Sequence, residues 1–341
     1  MKKQGQTYFF DSPARIIGHA GVAGKKEGEG PLGKEFDVIF EDTSLGQDSY
    51  EMAESAMLHD AFIRALSNAD ISPQSVNAVM CGDLLDQCVG SCFALKDLEM
   101  PFIGMYGACS TMALTLCNAC FYIESGVETV AVGASSHFAS SERQFRFPLE
   151  YGGQRTPTAQ WTVTGAGSAI LQNPAVASAD NLQNAPKITA VHIGTITDLG
   201  IKDANNMGAA MAPAAARTIG DFLNDTGTKP TDYDLIVTGD LGLTGTKLLY
   251  ELLQKEYNLD IRKVHKDCGL MIFDLEEQDV HSGGSGCGCS ASVLCSYLLN
   301  NMESGKYRKI LFTATGALMS PTSCKQGHPI PGIAHSVLIE K

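Results

Sequence analysis

Cys109 is the residue best placed to do chemistry. It stands in Gly107-Ala108-Cys109-Ser110-Thr111, after a short apolar stretch and at the head of a long uncharged run. A thiol at a helix N-terminus feels the positive end of the backbone dipole, which favours thiolate. The free N–H groups there also suit a bound anion or an oxyanion. The competing reading is a small residue where a helix packs on a strand. That reading suits the other cysteines among the 11 in the chain.

The segment 137–160 is the second candidate, as a lid or pocket wall. It carries Arg143, Arg146 and Arg155 against Glu142 and Glu150, a local basic excess in a chain of net charge −13. A guanidinium fork suits carboxylates better than a lysine point charge does, though surface ion pairs give the same composition. Phe145, Phe147 and Tyr151 supply rings for stacking or for core. Ser136 and His137 end an apolar strand, where side chains of an α/β sheet meet ligands. His335 opens the last apolar strand. Pocket and hydrogen-bonded core are equal readings for His137 and His335, and loop positions suit His281 and His328. Asp83 closes another strand in Gly82-Asp83-Leu84. Ser285 sits in Gly283-Gly284-Ser285-Gly286, which resembles a phosphate-cradling loop without its Lys-Ser/Thr ending. Cys268, Cys287 and Cys289 match no zinc spacing, so no metal site is expected. The candidate ligand-binding set is thus Cys109, Ser136, His137, Arg143, Arg146, Asp83, Ser285 and His335.

The elements that would position these residues are legible as a repeat. ALSNADISPQSVNAVMCGDL (65–84) lies over FLNDTGTKPTDYDLIVTGDL (222–241) without a gap, matching Pro73 to Pro230 and Gly82-Asp83-Leu84 to Gly239-Asp240-Leu241. GACSTMALTLCNACFYIESG (107–126) lies over GCGCSASVLCSYLLNNMESG (286–305) in the same way. Each copy alternates helices with Val- and Ile-rich strands, the pattern of a sheet covered on both faces. The expectation is one compact α/β unit of two related halves, 1–175 and 187–341, joined by the polar, Pro-bearing 171–186. Around Cys109 the parse is a strand near 101–106, a tight turn at 107–109 and a buried helix from about 110 to 124. The uncharged stretch 100–123 is long enough to cross a bilayer, but Pro101, Gly104, Gly107 and Asn118 argue for a buried strand and helix instead.

Composition closes off several functions. An apolar share of 44% builds a sizeable core. With charge −13 and a pI near 5.0, a nucleic-acid partner or a basic membrane patch is not expected. The cysteine count is odd, and the opening Met1-Lys2-Lys3-Gln4-Gly5-Gln6 lacks the apolar stretch of a secretory leader. Synthesis in a reducing cytoplasm is the expectation.

Strand, turn, Cys109 and buried helix inside a duplicated α/β chain resemble the thiolase and β-ketoacyl synthase superfamily. That resemblance implies a layered α/β/α/β/α fold with two halves related by a pseudo-two-fold axis. A resemblance spanning the chain is to the stage V sporulation protein AD family of endospore formers. It is carried by Gly30-Pro31-Leu32-Gly33, Gly82-Asp83-Leu84-Leu85, Ser135-Ser136-His137, Glu142-Arg143-Gln144-Phe145-Arg146 and Glu150-Tyr151-Gly152-Gly153-Gln154. Further matches are Met211-Ala212-Pro213-Ala214-Ala215-Ala216, Asp267-Cys268-Gly269-Leu270-Met271, Ala314-Thr315-Gly316-Ala317-Leu318 and Ile333-Ala334-His335.

That likeness implies binding of dipicolinic acid, with or without calcium, for uptake into the developing spore. It also implies no cofactor, a peripheral place at the spore inner membrane beside other stage V sporulation A membrane proteins, and a possible homodimer. Condensing enzymes place His and His or Asn opposite the cysteine. The matching loops here are Gly239-Asp240-Leu241-Gly242 and Gly284-Ser285-Gly286-Cys287, which offer Asp240 and Ser285. A degenerate, non-enzymatic binding protein follows, with an acyltransferase or ketoacyl synthase using Cys109 as the alternative.

Overall fold

Val- and Ile-rich runs between Gly- and Pro-marked turns form the strands of one large sheet. The computed structural model describes residues 1–146 and 155–341, the side chains of Phe145 and Arg146 excepted. Its strands are β1 (Lys2–Gln4), β2 (Thr7–Gly24), β3 (Val38–Phe40), β4 (Ala78–Gly82), β5 (Phe102–Gly104), β6 (Thr129–Ser136), β7 (Trp161–Thr162) and β8 (Gly165–Gln172). Those of the second half are β9 (Lys187–His192), β10 (Leu235–Thr238), β11 (His265–Asp267), β12 (Gly284–Ser285), β13 (Lys309–Ala317) and β14 (Gly332–Glu340).

The strand order is β11-β10-β13-β14-β9-β2-β8-β6-β4-β5, with β1 and β3 pairing β2 off this path and β7–β12 forming a small separate pair. Outward from the centre, each half shows its first, fifth, fourth, second and third strand in turn. The directions repeat too. In each half the second strand runs parallel to the third and fourth, and the fifth is antiparallel to both of its neighbours. The halves meet at the antiparallel β2–β9 pair, whose register shifts between Phe9 and Ala14.

The α-helices are α1 (Lys25–Gly28), α2 (Tyr50–Ala69), α3 (Val89–Leu95), α4 (Thr111–Glu124), α5 (Phe138–Arg146), α6 (Ala179–Asn184), α7 (Met207–Thr226), α8 (Gly242–Tyr257), α9 (Cys268–Met271), α10 (Cys287–Val293), α11 (Leu299–Glu303) and α12 (Pro321–Lys325). Helix α4 packs on β6, β4 and β2 of one half and on β14 and β13 of the other, while α10 lies on β8, β6 and β2. These two helices form the inner layer. Helix α2 covers the outer face of the first half, and α7 with α8 covers the second, which gives the α/β/α/β/α layering.

Burial explains why α4 lacks charge until Glu124. Met112, Ala113, Leu116, Cys117 and Ile123 are fully buried between the half-sheets. Each large apolar side chain so buried contributes about 1.5–3 kcal/mol. The outer helices are capped by local chemistry. Ser49 accepts the Met52 N–H at the start of α2, Asn206 accepts the Ala209 N–H at the start of α7, and Gly227 closes α7 in the left-handed region. The strand before Cys109 is shorter than the sequence parse, because after Gly104 the chain makes a last bond, Met105 N–H to the Cys81 carbonyl, and turns away. Among the described residues, no helix is long and apolar enough to cross a membrane.

Candidate functional site

Local hydrogen bonds on both sides of Cys109 hold its turn. The Ser110 N–H and hydroxyl both reach the Gly107 carbonyl, the hydroxyl at 2.7 Å, and the Thr111 hydroxyl donates to the Ala108 carbonyl at 2.7 Å. Ala108 sits at φ 50°, a left-handed conformation that costs a non-glycine residue stability and bends the chain just before Cys109. Helix α4 then begins at Thr111, which leaves Cys109 at its mouth. Gly316 of β13 supports the turn from behind. A Cβ there would lie 2.5 Å from the Gly107 carbonyl oxygen.

The thiol faces acceptors, and these determine its state. Cys109 Sγ lies 4.0 Å from the Ser285 hydroxyl, which in turn donates to the Asp240 carboxylate. Asp240 is fully buried and takes the Ser285 hydroxyl at 3.1 Å, the Gly286 N–H at 2.8 Å and the Thr315 hydroxyl at 2.8 Å. Burial foremost, then the neighbouring Asp240 charge, pushes the Cys109 thiol well above its ordinary range. Burial also raises Asp240. The helix dipole alone favours thiolate, but desolvation together with a facing carboxylate outweighs it. Cys109 is a protonated donor.

A cavity of about 20 Å³ opens beside it, lined by Leu84, Cys109, Glu142, Gln160, Thr162, Ala204, Asn205, Met207 and Ser285. That is room for about one water. Its polar surface is rich in acceptors. Thr162 donates to Glu142 Oε1 at 3.1 Å. Gln160 spends its amide N–H groups on the Asp240 and Gly284 carbonyls, at 2.7 and 2.8 Å, and its own oxygen is buried without a partner among the described residues. No lysine or arginine lines the cavity among the described residues.

Of the residues singled out from sequence, the cavity brings together Cys109 and Ser285. The Gly-rich loop that holds Ser285 includes the strand β12, paired with β7, and Gly286 has φ +106° where an added Cβ would lie 2.7 Å from the Ser136 hydroxyl. Ser136 lies behind this, donating to the Val163 carbonyl at 2.7 Å and accepting the Gly288 N–H at 3.1 Å. Asp83 is buried and holds the next loop through the Leu85 and Ser91 N–H groups and the Ser91 hydroxyl. His137 turns away from Cys109. Its Nε2 meets the Thr43 carbonyl at 2.8 Å and its ring stacks on Tyr50. His335 is buried, accepts the Gly194 N–H, and is pushed down to about 4 by burial and by His192. Arg143 is 52% exposed and pairs with Glu51, and Arg155 pairs with Asp279 at 2.7 Å. The side chain of Arg146, and Phe147 and Tyr151, lie outside the described residues.

Sequence reading passed over Gln160, Thr162, Asn205 and Met207, and counted Glu142 only as a charge. The alternation Gln160-x-Thr162 was the available signal, since alternate residues of a strand share a face.

The family profile described as Stage V sporulation protein AD (SpoVAD) matches residues 4–340. The chain is 41% identical over 338 residues to the stage V sporulation protein AD of Bacillus subtilis (strain 168), covering 98% of this chain and 97% of that protein. Among solved structures, it is similar to 3-oxoacyl-[acyl-carrier-protein] synthase III of Aquifex aeolicus VF5, with TM-score 0.58 and 14% identity over 96% of this chain and all of the other. It is also similar to cerulenin-bound OleA of Xanthomonas campestris, with TM-score 0.61 and 12% identity over the full length of both. At these identities the two enzymes share the thiolase-like fold with this chain.

Proposed function

The chain belongs to the stage V sporulation protein AD family, and from that premise we propose that it binds dipicolinic acid beside Cys109, as the calcium chelate, and performs no acyl transfer. The observation that carries the non-enzymatic reading is the buried Asp240 carboxylate, which takes the same Ser285 hydroxyl that the Cys109 sulfur meets. A condensing site needs a thiolate and groups that stabilise a developing oxyanion. Here a carboxylate occupies the place opposite the sulfur. It holds the thiol protonated and would repel an oxyanion.

The lining favours the chelate over the free acid. Dipicolinate is a flat ring with two carboxylates, and a bare dianion would meet Glu142 and Asp240 in a low-dielectric cavity with no described lysine or arginine on its wall. Calcium cancels that charge. The ring requires the wall of α5 and the segment 204–207 to part, since the space present holds about one water. In this reading the protein takes part in dipicolinate uptake as a peripheral component beside other stage V sporulation A proteins at the spore inner membrane. A homodimer is part of the same proposal. Acyl transfer from a thioester through Cys109 is the alternative, favoured by the placement of Cys109 at the mouth of α4.

Isothermal titration with calcium dipicolinate, and with dipicolinate plus chelator, tests the binding. We expect heat for the chelate, lost in Cys109→Trp and in Asn205→Trp, which blocks the mouth from an exposed position. Binding at full strength in both folded variants places the ligand elsewhere. Thioester turnover that disappears in Cys109→Ala makes the enzyme reading the leading one.

A further inference from the structure

A second pocket lies across the wall from the Cys109 cavity. It holds about 270 Å³ and is lined by Lys26, Glu27, Thr43, Tyr50, His137, Phe138, Ala139, Trp161 and Thr164. The dividing wall is α5 with β7. Phe138 and Ala139 face this pocket while Glu142 faces the other, and neighbouring Trp161 and Thr162 point to opposite sides.

Its sides are aromatic and fixed. Phe138 stacks on Trp161 at 3.9 Å and 7°, and Tyr50 stacks on His137 at 5.3 Å and 29°. Tyr50 lines the pocket and remains 44% exposed. Lys26 lies on the pocket wall, its ammonium 4.4 Å from the Trp161 ring centre and donating to the Gln278 carbonyl, and Arg155 lies 4.9 Å from the same ring, held by Asp279.

Glu27 is the polar group that this packing leaves underused. It is 1% exposed, yet it lines the pocket. Among the described residues the hydrogen bond it accepts comes from the backbone, the Thr164 N–H at 2.9 Å. A carboxylate accepts about four hydrogen bonds, so capacity remains. A buried carboxyl without a side-chain donor is expensive to ionise, and burial accordingly lifts Glu27 to about 7. A ligand that donates to Glu27 removes that cost.

We propose that this pocket binds a planar aromatic molecule carrying a cationic N–H donor group of the amidine or amine kind. The ring lies against Tyr50 and the Phe138–Trp161 pair, and the donor meets the Glu27 carboxylate. The assignment is separate from the Cys109 cavity and does not depend on what binds there.

The chain has a single tryptophan, Trp161, so its fluorescence reports occupancy directly. Benzamidine, which absorbs little at the excitation edge of tryptophan, is the probe. We expect saturable quenching with a Kd in the roughly millimolar range or tighter. Binding should weaken about tenfold in Glu27→Gln, which keeps the acceptor for Thr164 while removing the charge, and likewise in Tyr50→Ala at the exposed entrance. Benzoate, the same ring with opposite charge, should bind more weakly than benzamidine. Circular dichroism checks that both variants are folded, and if Glu27→Gln is not, Tyr50→Ala and the benzoate comparison decide. Absence of saturable quenching, equal binding to wild type and variants, or a preference for benzoate overturns the proposal.

Discussion

Replacing Asp240 with Asn tests the electrostatic account of Cys109. In the wild type, ionising the thiol places a second negative charge near the first in a dry site. The contacts from sulfur to Ser285, at 4.0 Å, and from Ser285 to the carboxylate, at 3.1 Å, bound the charge separation at about 7 Å. At an effective dielectric of about 20, two unit charges at that distance repel by ~2.4 kcal/mol. This corresponds to a thiol acidity change of roughly 1.7 pKa units, or about fiftyfold more thiolate while both forms are mostly protonated. Asparagine can keep its oxygen toward Gly286 and Ser285 while the Thr315 hydroxyl rotates to accept its amide, so the geometry survives. The assay is the rate of carboxamidomethylation of Cys109 by iodoacetamide, followed by peptide mass spectrometry. Exposed Cys92 and half-buried Cys324 serve as internal references. A Cys109 rate within threefold of wild type, with the reference rates unchanged, would show that burial alone sets the thiol and refute the role given to Asp240.

Gly316→Ala should cost about 1–3 kcal/mol and slow or abolish ligand binding, because its Cβ meets the Gly107 carbonyl at 2.5 Å and pushes the Cys109 turn; urea unfolding and titration calorimetry measure the two effects. Glu54 gives a pH signature. It is buried, accepts the Ser135 and Ser140 hydroxyls, and is raised to about 8 by burial first and by Asp83 next. Between its unfolded value near 4.5 and about 8 the native state holds the extra proton, so this group's stabilisation is full below that window and is lost as pH rises through it. The slope is at most about 1.4 kcal/mol per pH unit. Glu54→Gln should flatten the fall of stability between those limits, and a denaturation series with an unchanged slope would count against this assignment.

The Cys109 turn was legible because it is local. A strand, two small residues, a thiol and an uncharged helix lie in one stretch, and the duplicated blocks give the same strand order twice. The cavity lining was not, since it gathers single residues from β7, α5, β12 and the segment before α7. The basic count around 137–160 pointed to arginines, but Glu142 and Arg143 are neighbours on α5 and project about 100° apart. The acid faces the cavity and Arg143 faces Glu51. His137 ends a strand on the expected side, yet its ring is drawn off by the Thr43 carbonyl and Tyr50, both distant in sequence. Asp240 was legible through its matching loop in the other half of the chain, but a helix start does not show that burial, first, and that carboxylate, second, outweigh the dipole at Cys109.

The seam between the halves couples their stability. Strand β2 bonds to β8 of its own half and to β9 of the other, and α4 is buried against strands of both. Melting either half alone would strip backbone partners from the other and expose the apolar face of α4 to water. A partly unfolded chain therefore carries the losses of both halves while keeping the stabilisation of one. Such a species loses more than half of the stabilisation, so the seam couples the stability of the two halves.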